Sequence, residues 1–185
     1  MMLALDLLVQ LLTKDPVTYE HSWRVARLAR AMAASISLTE EDTHSLIQGC
    51  LFHDIGKLLI PKSLLQSPAQ LTSYEVETVK THVNYGVLLL QAAFVKDVKT
   101  LHTVQFHHER WDGSGYPHGR RKHQIPLFAR ICSILDAYDA MTMDRPFSPA
   151  LDAEAARREL ANRRGTQFDG DMVELFLSLP EALTV

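Results

Sequence analysis

The sequence predicts an all-α fold, a single-domain helical bundle of about seven helices with a Gly-rich loop beside a group of polar side chains. Three observations carry that expectation. Apolar residues recur at spacings of three and four along most of the chain, each periodic stretch opens on a recognisable cap or proline, and no run alternates cleanly enough to be a strand. With 185 residues, 46% of them hydrophobic, the chain can fill one core without disulfides or metals as staples, so residues 1–185 are read as one domain.

The opening residues, about 1–13, form a lead-in helix. Asp15 and Pro16 then give an N-cap followed by proline at the first helical position, and the helix runs to about Met32 with Val25, Leu28, Ala29 and Met32 on one face. His21 lies inside it. Thr39 with Asp42 resembles a capping box and launches a helix through Leu46, Ile47, Cys50 and Leu51 that reaches His53 and Asp54 near its end; Pro61 closes the segment. Thr72 with Glu75 opens another helix, which contains His82. The next pattern, about Val95 to His108, ends in a loop rich in glycine, and Pro126 opens the helix of "PLFARICSILDAYDAMTMD". "DAEAARRELANRRG" reads as a helix with basic residues in its last turn and Gly165 just beyond, before a short amphipathic "DMVELFLSL".

Charge and composition exclude several classes. A net charge of -3 gives no global attraction for DNA or RNA, so an anionic ligand must be held locally. The first residues, "MMLALDLLVQLL", are too short and too interrupted by Asp6 and Gln10 for a membrane span, and lack the basic start of a signal peptide. Cys50 and Cys132 sit in apolar surroundings, which suits reduced core thiols of a cytoplasmic protein.

The polar residues that follow apolar helical runs are the unusual ones. "CLF" precedes His53 and Asp54, "VQF" precedes His107 and His108, and "ICSIL" precedes Asp136. Drawing such groups inward is unfavourable unless they have partners, and a metal ion is the partner that neutral imidazoles and carboxylates share. His21 or His82 alone would read as an ordinary helical histidine, whereas adjacent pairs change the balance. Consecutive helical residues diverge by about 100°, so His53 and Asp54 can reach different ions, with the two Asp54 oxygens bridging them. His44, His102, His118 and His123 fall in polar or basic contexts and are set aside as solvated. Histidine and aspartate without cysteine favour Fe, Mn or Zn over a thiolate-loving metal, with Ni or Mg as further alternatives, and a close pair of such ions suits phosphoester hydrolysis. Lys57, one turn after His53, projects from the same side, where an ammonium can meet a phosphate oxygen or a leaving group.

Taken together, "HDIGK", "HHERWDGSGYP" and "DAYDAMT", with "HSWRVARLA", "VKTHVNYG" and "GTQFD" in order around them, resemble the HD-GYP family of HD-domain phosphohydrolases over nearly the whole chain. The resemblance implies an all-helical metal-dependent phosphodiesterase that hydrolyses cyclic di-GMP. It implies His21, His53, Asp54 and Asp136 around one divalent ion, His82, His107 and His108 around another with Asp54 between them, and Lys57 as the catalytic lysine. Asp139 would orient Lys57 or a ligand. Asp112, Gly113, Gly115, Tyr116 and Pro117 would shape a loop at the rim, Asp112 as a supporting residue, the glycines letting backbone approach the nucleotide and Tyr116 stacking on guanine. The same loop is expected to offer a docking surface to diguanylate cyclase domains, and Arg145 to contact phosphate.

Two departures from the family pattern matter. Ser148 replaces a basic residue, and Val17 replaces a glutamate that would hold a third ion. The expected enzyme therefore has two metals and releases pGpG. The alternative is a weakly active or inactive signalling module that binds cyclic di-GMP or a partner protein.

Overall fold

A computed structural model describes residues 3–67, 69–144 and 149–180. They form α1 (Ala4–Lys14), α2 (Pro16–Ser35), α3 (Glu40–Phe52), a 3-10 turn (Ile55–Leu59), α4 (Lys62–Leu65), α5 (Ser73–Lys80), α6 (His82–Ala92), α7 (Val98–Phe106), a second 3-10 turn (Lys122–Gln124), α8 (Leu127–Thr142), α9 (Ala153–Asn162) and α10 (Gly170–Ser178). Among the described residues there is no strand, only one isolated bridge between Arg164 and Phe168.

Side-chain caps set the helix starts. Asp15 accepts from Thr18 N, Thr39 from Asp42 N, Asp97 from Thr100 N and Asp152 from Ala155 N, while Thr72 and Glu75 complete a reciprocal capping box. The Thr39 cap is one-sided, not a full box.

Periodicity misreads two places. The helix expected through His82 is two helices: Thr81 ends α5 and His82 begins α6. Likewise α3 stops at Phe52, so His53 and Asp54 stand in the turn between α3 and the 3-10 segment, not within a helix. Gly56 makes that turn possible: a Cβ there would lie 1.9 Å from the carbonyl oxygen of His82, so backbone meets backbone where the 3-10 turn crosses α6.

One apolar cluster joins α2 (Val25, Ala29, Met32), α3 (Leu46, Cys50), α8 (Ile131, Cys132, Leu135, Tyr138), α9 (Leu160) and α10 (Val173, Phe176). A second joins α1 (Leu7, Leu11), Phe52, Ile55, α6 (Leu90) and α7 (Val104). Both cysteines are free and buried in the first cluster, as the core-thiol reading expects. None of the described helices is long and apolar enough to cross a membrane.

Candidate metal centre

Three histidines are mounted by one device. A helix leaves its last carbonyls without partners inside the helix, and a histidine just beyond the end can donate to one of them. His53 Nδ1 meets Cys50 O at 2.7 Å after α3, His82 Nδ1 meets Val79 O at 2.8 Å after α5, and His107 Nδ1 meets Val104 O at 2.9 Å after α7. A carbonyl only accepts, so each Nδ1 carries the proton and each Nε2 keeps a bare lone pair aimed the other way. His21, in the first half of α2, is oriented by Asp139 of α8, whose Oδ2 lies 2.7 Å from its Nδ1.

The free ends of these side chains converge. His21, His53 and Asp136 form one group, and Asp54, His82, His107 and His108 another; within each group the ligand atoms all lie within 4.8 Å of one another. Asp54 stands between them, its Oδ2 3.4 Å from His53 Nε2 and its Oδ1 3.2 Å from His82 Nε2. In the first group His21 Nε2 is 3.2 Å from His53 Nε2 and 3.1 Å from Asp136 Oδ1. The seven side chains expected to share a pocket are therefore brought together, although they come from five different helix or turn segments.

Protonation states of His107, His108 and Asp54 suit cation binding, whereas His21 is protonated and a cation would have to displace its proton. Burial pushes the His107 imidazole well below its ordinary value and His108 down to about 4, so both imidazoles are neutral at neutral pH. Burial alone would raise the Asp54 carboxyl, but Lys57, His53 and His82 outweigh it and hold it well below the carboxylate range. Burial also opposes charge on His21, yet hydrogen bonds to Asp136 and Asp139 prevail and lift it to about 9. Asp54 Oδ1, His82 Nε2 and His107 Nε2 are buried with no hydrogen-bond partner among the described residues. Buried acceptors in that number are unfavourable unless a cation satisfies them, and the imidazole and carboxylate set fits a divalent ion.

Lys57, in the 3-10 turn, places Nζ 2.6 Å from Asp54 Oδ2. Asp139 serves His21 and not Lys57: besides His21 it accepts from Arg24 Nε at 2.7 Å and from Arg24 Nη2 at 2.9 Å. Arg24 was not anticipated, although it stands one turn after His21 in "HSWRVARLA", on the same side of the helix.

In the loop after His108, Asp112 shapes the turn as expected, its carboxylate accepting from Ser114 N and Ser114 Oγ, and two other expectations change. Gly113 does adopt a positive φ of 81°, but Gly115 is needed because the chain itself comes close: a Cβ there would lie 2.5 Å from His108 O. Tyr116 is not a bare stacking face, since its ring already stacks on His108 with centroids 4.8 Å apart and Lys80 Nζ stands 5.4 Å from its centre. Glu109 is the residue overlooked here. Its buried carboxylate accepts from His118 N and Arg120 N and ties the far side of the loop to the segment of His107 and His108; an acid directly after two inward-drawn histidines was the available signal. Arg145 and Ser148 lie outside the described residues. Val17 is 75% exposed on α2 and carries no ligating atom.

A profile of the HD domain family matches residues 6–172. The chain belongs to the HD domain family. Its ordered motifs place this HD domain in the HD-GYP branch. It is 38% identical over 94% of its length to the cyclic di-GMP phosphodiesterase PA4108 of Pseudomonas aeruginosa, and 34% identical over 86% to the 3'3'-cGAMP-specific phosphodiesterase 2 of Vibrio cholerae. It covers 42% and 31% of those proteins, so this HD domain spans less than half the length of the curated relatives it matches. The crystal structure of the PgpH HD domain of the Listeria monocytogenes phosphodiesterase, in complex with cyclic-di-AMP, superposes with a TM-score of 0.68 at 21% identity, covering 96% of this chain and 93% of that one. At that identity the likeness speaks to the fold.

Proposed function

We propose that this HD domain is a metal-dependent cyclic dinucleotide phosphodiesterase, acting in the cytoplasm on cyclic di-GMP at a two-metal centre and releasing pGpG. The observation that carries the reading is Asp54, buried between two groups of ligand atoms with one oxygen toward each. His21, His53 and Asp136 would hold one ion, His82, His107 and His108 the other, with Asp54 shared. Divalent ions bound there would supply an activated water and a clamp on the attacked phosphate.

The chain's own groups do the remaining work. The Nδ1 contacts to Cys50, Val79 and Val104 carbonyls lock three imidazoles in one tautomer, so the ligands need no rearrangement to bind. Burial disfavours charge on Lys57, but Asp54 prevails and raises its pKa, so the lysine is an ammonium that can donate to a phosphate oxygen or protonate the departing ribose oxygen. Val17 offers nothing for a third ion, which favours cleavage of one bond and pGpG as the end point.

The relatives named above include enzymes of differing cyclic dinucleotide specificity, so the test is a panel. Protein loaded anaerobically with Fe(II) or Mn(II) is incubated with cyclic di-GMP, cyclic di-AMP and 3'3'-cGAMP, and products are separated by chromatography. The reading expects cyclic di-GMP to be consumed fastest with pGpG accumulating. Tight binding of cyclic di-GMP with no turnover under either metal would replace it with the signalling-module alternative.

A further inference from the structure

The stack beside the metal ligands continues outward to a cation. The His108 ring belongs to the second ligand group, Tyr116 lies against it at 4.8 Å and 29°, and Lys80 Nζ stands 5.4 Å from the Tyr116 centroid. Lys80 ends α5, two residues before His82, so its backbone is anchored by a ligand while its ammonium reaches the surface. Its carboxylate partner is Glu77, one turn earlier at 2.7 Å; the Lys80 side chain is 35% exposed and that of Glu77 69%. An exposed pair of this kind is weak, so a better anion can displace the carboxylate. An ammonium over an aromatic face is also partly desolvated, which strengthens its hold on an incoming phosphate.

We propose that Lys80 is a substrate-binding residue: it takes the phosphodiester of a cyclic dinucleotide that is not being cleaved, and Glu77 is the carboxylate that this phosphate displaces. The inference rests on the proposed phosphodiesterase reading. A cyclic dinucleotide has two phosphodiesters joined through its riboses. With one at the ligand cluster, the other reaches the rim of the site and needs a cation there, and Lys80 Nζ lies 5.4 Å from the centre of the Tyr116 ring that packs on His108. Tyr116 then has two tasks, buttressing His108 and holding the Lys80 chain upright.

Opposite outcomes for the two partners make the test. Lys80→Met is expected to raise KM for cyclic di-GMP about tenfold with kcat within about twofold, the signature of lost uniform binding. Glu77→Gln, which removes the competitor, is expected to lower KM about two- to threefold, and both differences should shrink in high salt. Metal content by elemental analysis should match the wild type, showing that the fold and ligands are intact. If the wild type turns over and neither variant changes KM, the Lys80 assignment is wrong while the phosphodiesterase reading stands. If the wild type does not turn over, calorimetric titration with cyclic di-GMP in the Lys57→Met background still decides: weaker binding after Lys80→Met supports the clamp, and equal Kd values overturn it.

Discussion

Asp54 Oδ1 and His82 Nε2 face each other at 3.2 Å, both buried and neither hydrogen-bonded among the described residues. His82 donates through Nδ1 to Val79 O, so both atoms present lone pairs, an arrangement that repels unless a cation lies against them.

Asp54→Ala removes a carboxylate with one oxygen directed at each ligand group. Bound metal, measured by elemental analysis, is expected to fall by at least one ion per chain, and phosphodiesterase activity with it, by at least about a hundredfold. Full metal content with low activity would assign Asp54 a different task.

Lys57→Met should separate binding of metal from chemistry. Metal content is expected to stay at the wild-type level while kcat drops about 10²- to 10⁴-fold, the span for loss of a proton donor. Loss of metal in this variant would mean that the Lys57 contact to Asp54 at 2.6 Å serves to hold the ligand in place.

Asp139→Asn keeps the size of the side chain but weakens its grip on both His21 Nδ1 and Arg24. Supporting carboxylates of this kind typically contribute about 10- to 100-fold in metal affinity. Competition with a chelator is expected to show that loss, with a smaller one for Arg24→Lys, which keeps the charge and forfeits the forked contact.

Gly56→Ala would place a Cβ 1.9 Å from His82 O. Because the clash is with backbone, no side-chain rotation relieves it, and a destabilisation of about 1 to 3 kcal/mol or more is expected by thermal denaturation. The same shift would move His82, so metal affinity should fall together with melting temperature.

The helices were legible because they are signalled locally: Asp15 with Pro16, Thr72 with Glu75, and the apolar faces of α2 and α8 need only neighbours in sequence. The breaks were not. Thr81 has helix-like φ and ψ of -65° and -13°, so periodicity runs through the join between α5 and α6 without a mark. His53 and Asp54 were recognised as ligand types yet assigned to a helix, because the turn after Phe52 is set by Gly56 packing on α6, a contact distant in sequence. Arg24 and Glu109 escaped notice for the same reason. Each acts on a partner far away in the chain or on loop backbone, Arg24 on Asp139 and Glu109 on His118 and Arg120.

The most direct test of a centre shared through Asp54 is anomalous diffraction from crystals of the Mn(II)-loaded protein. The account predicts two strong peaks, one among His21, His53 and Asp136 and one among His82, His107 and His108, with the Asp54 carboxylate between them. A single peak away from Asp54, or the seven side chains closed on one another with no peak, would contradict it.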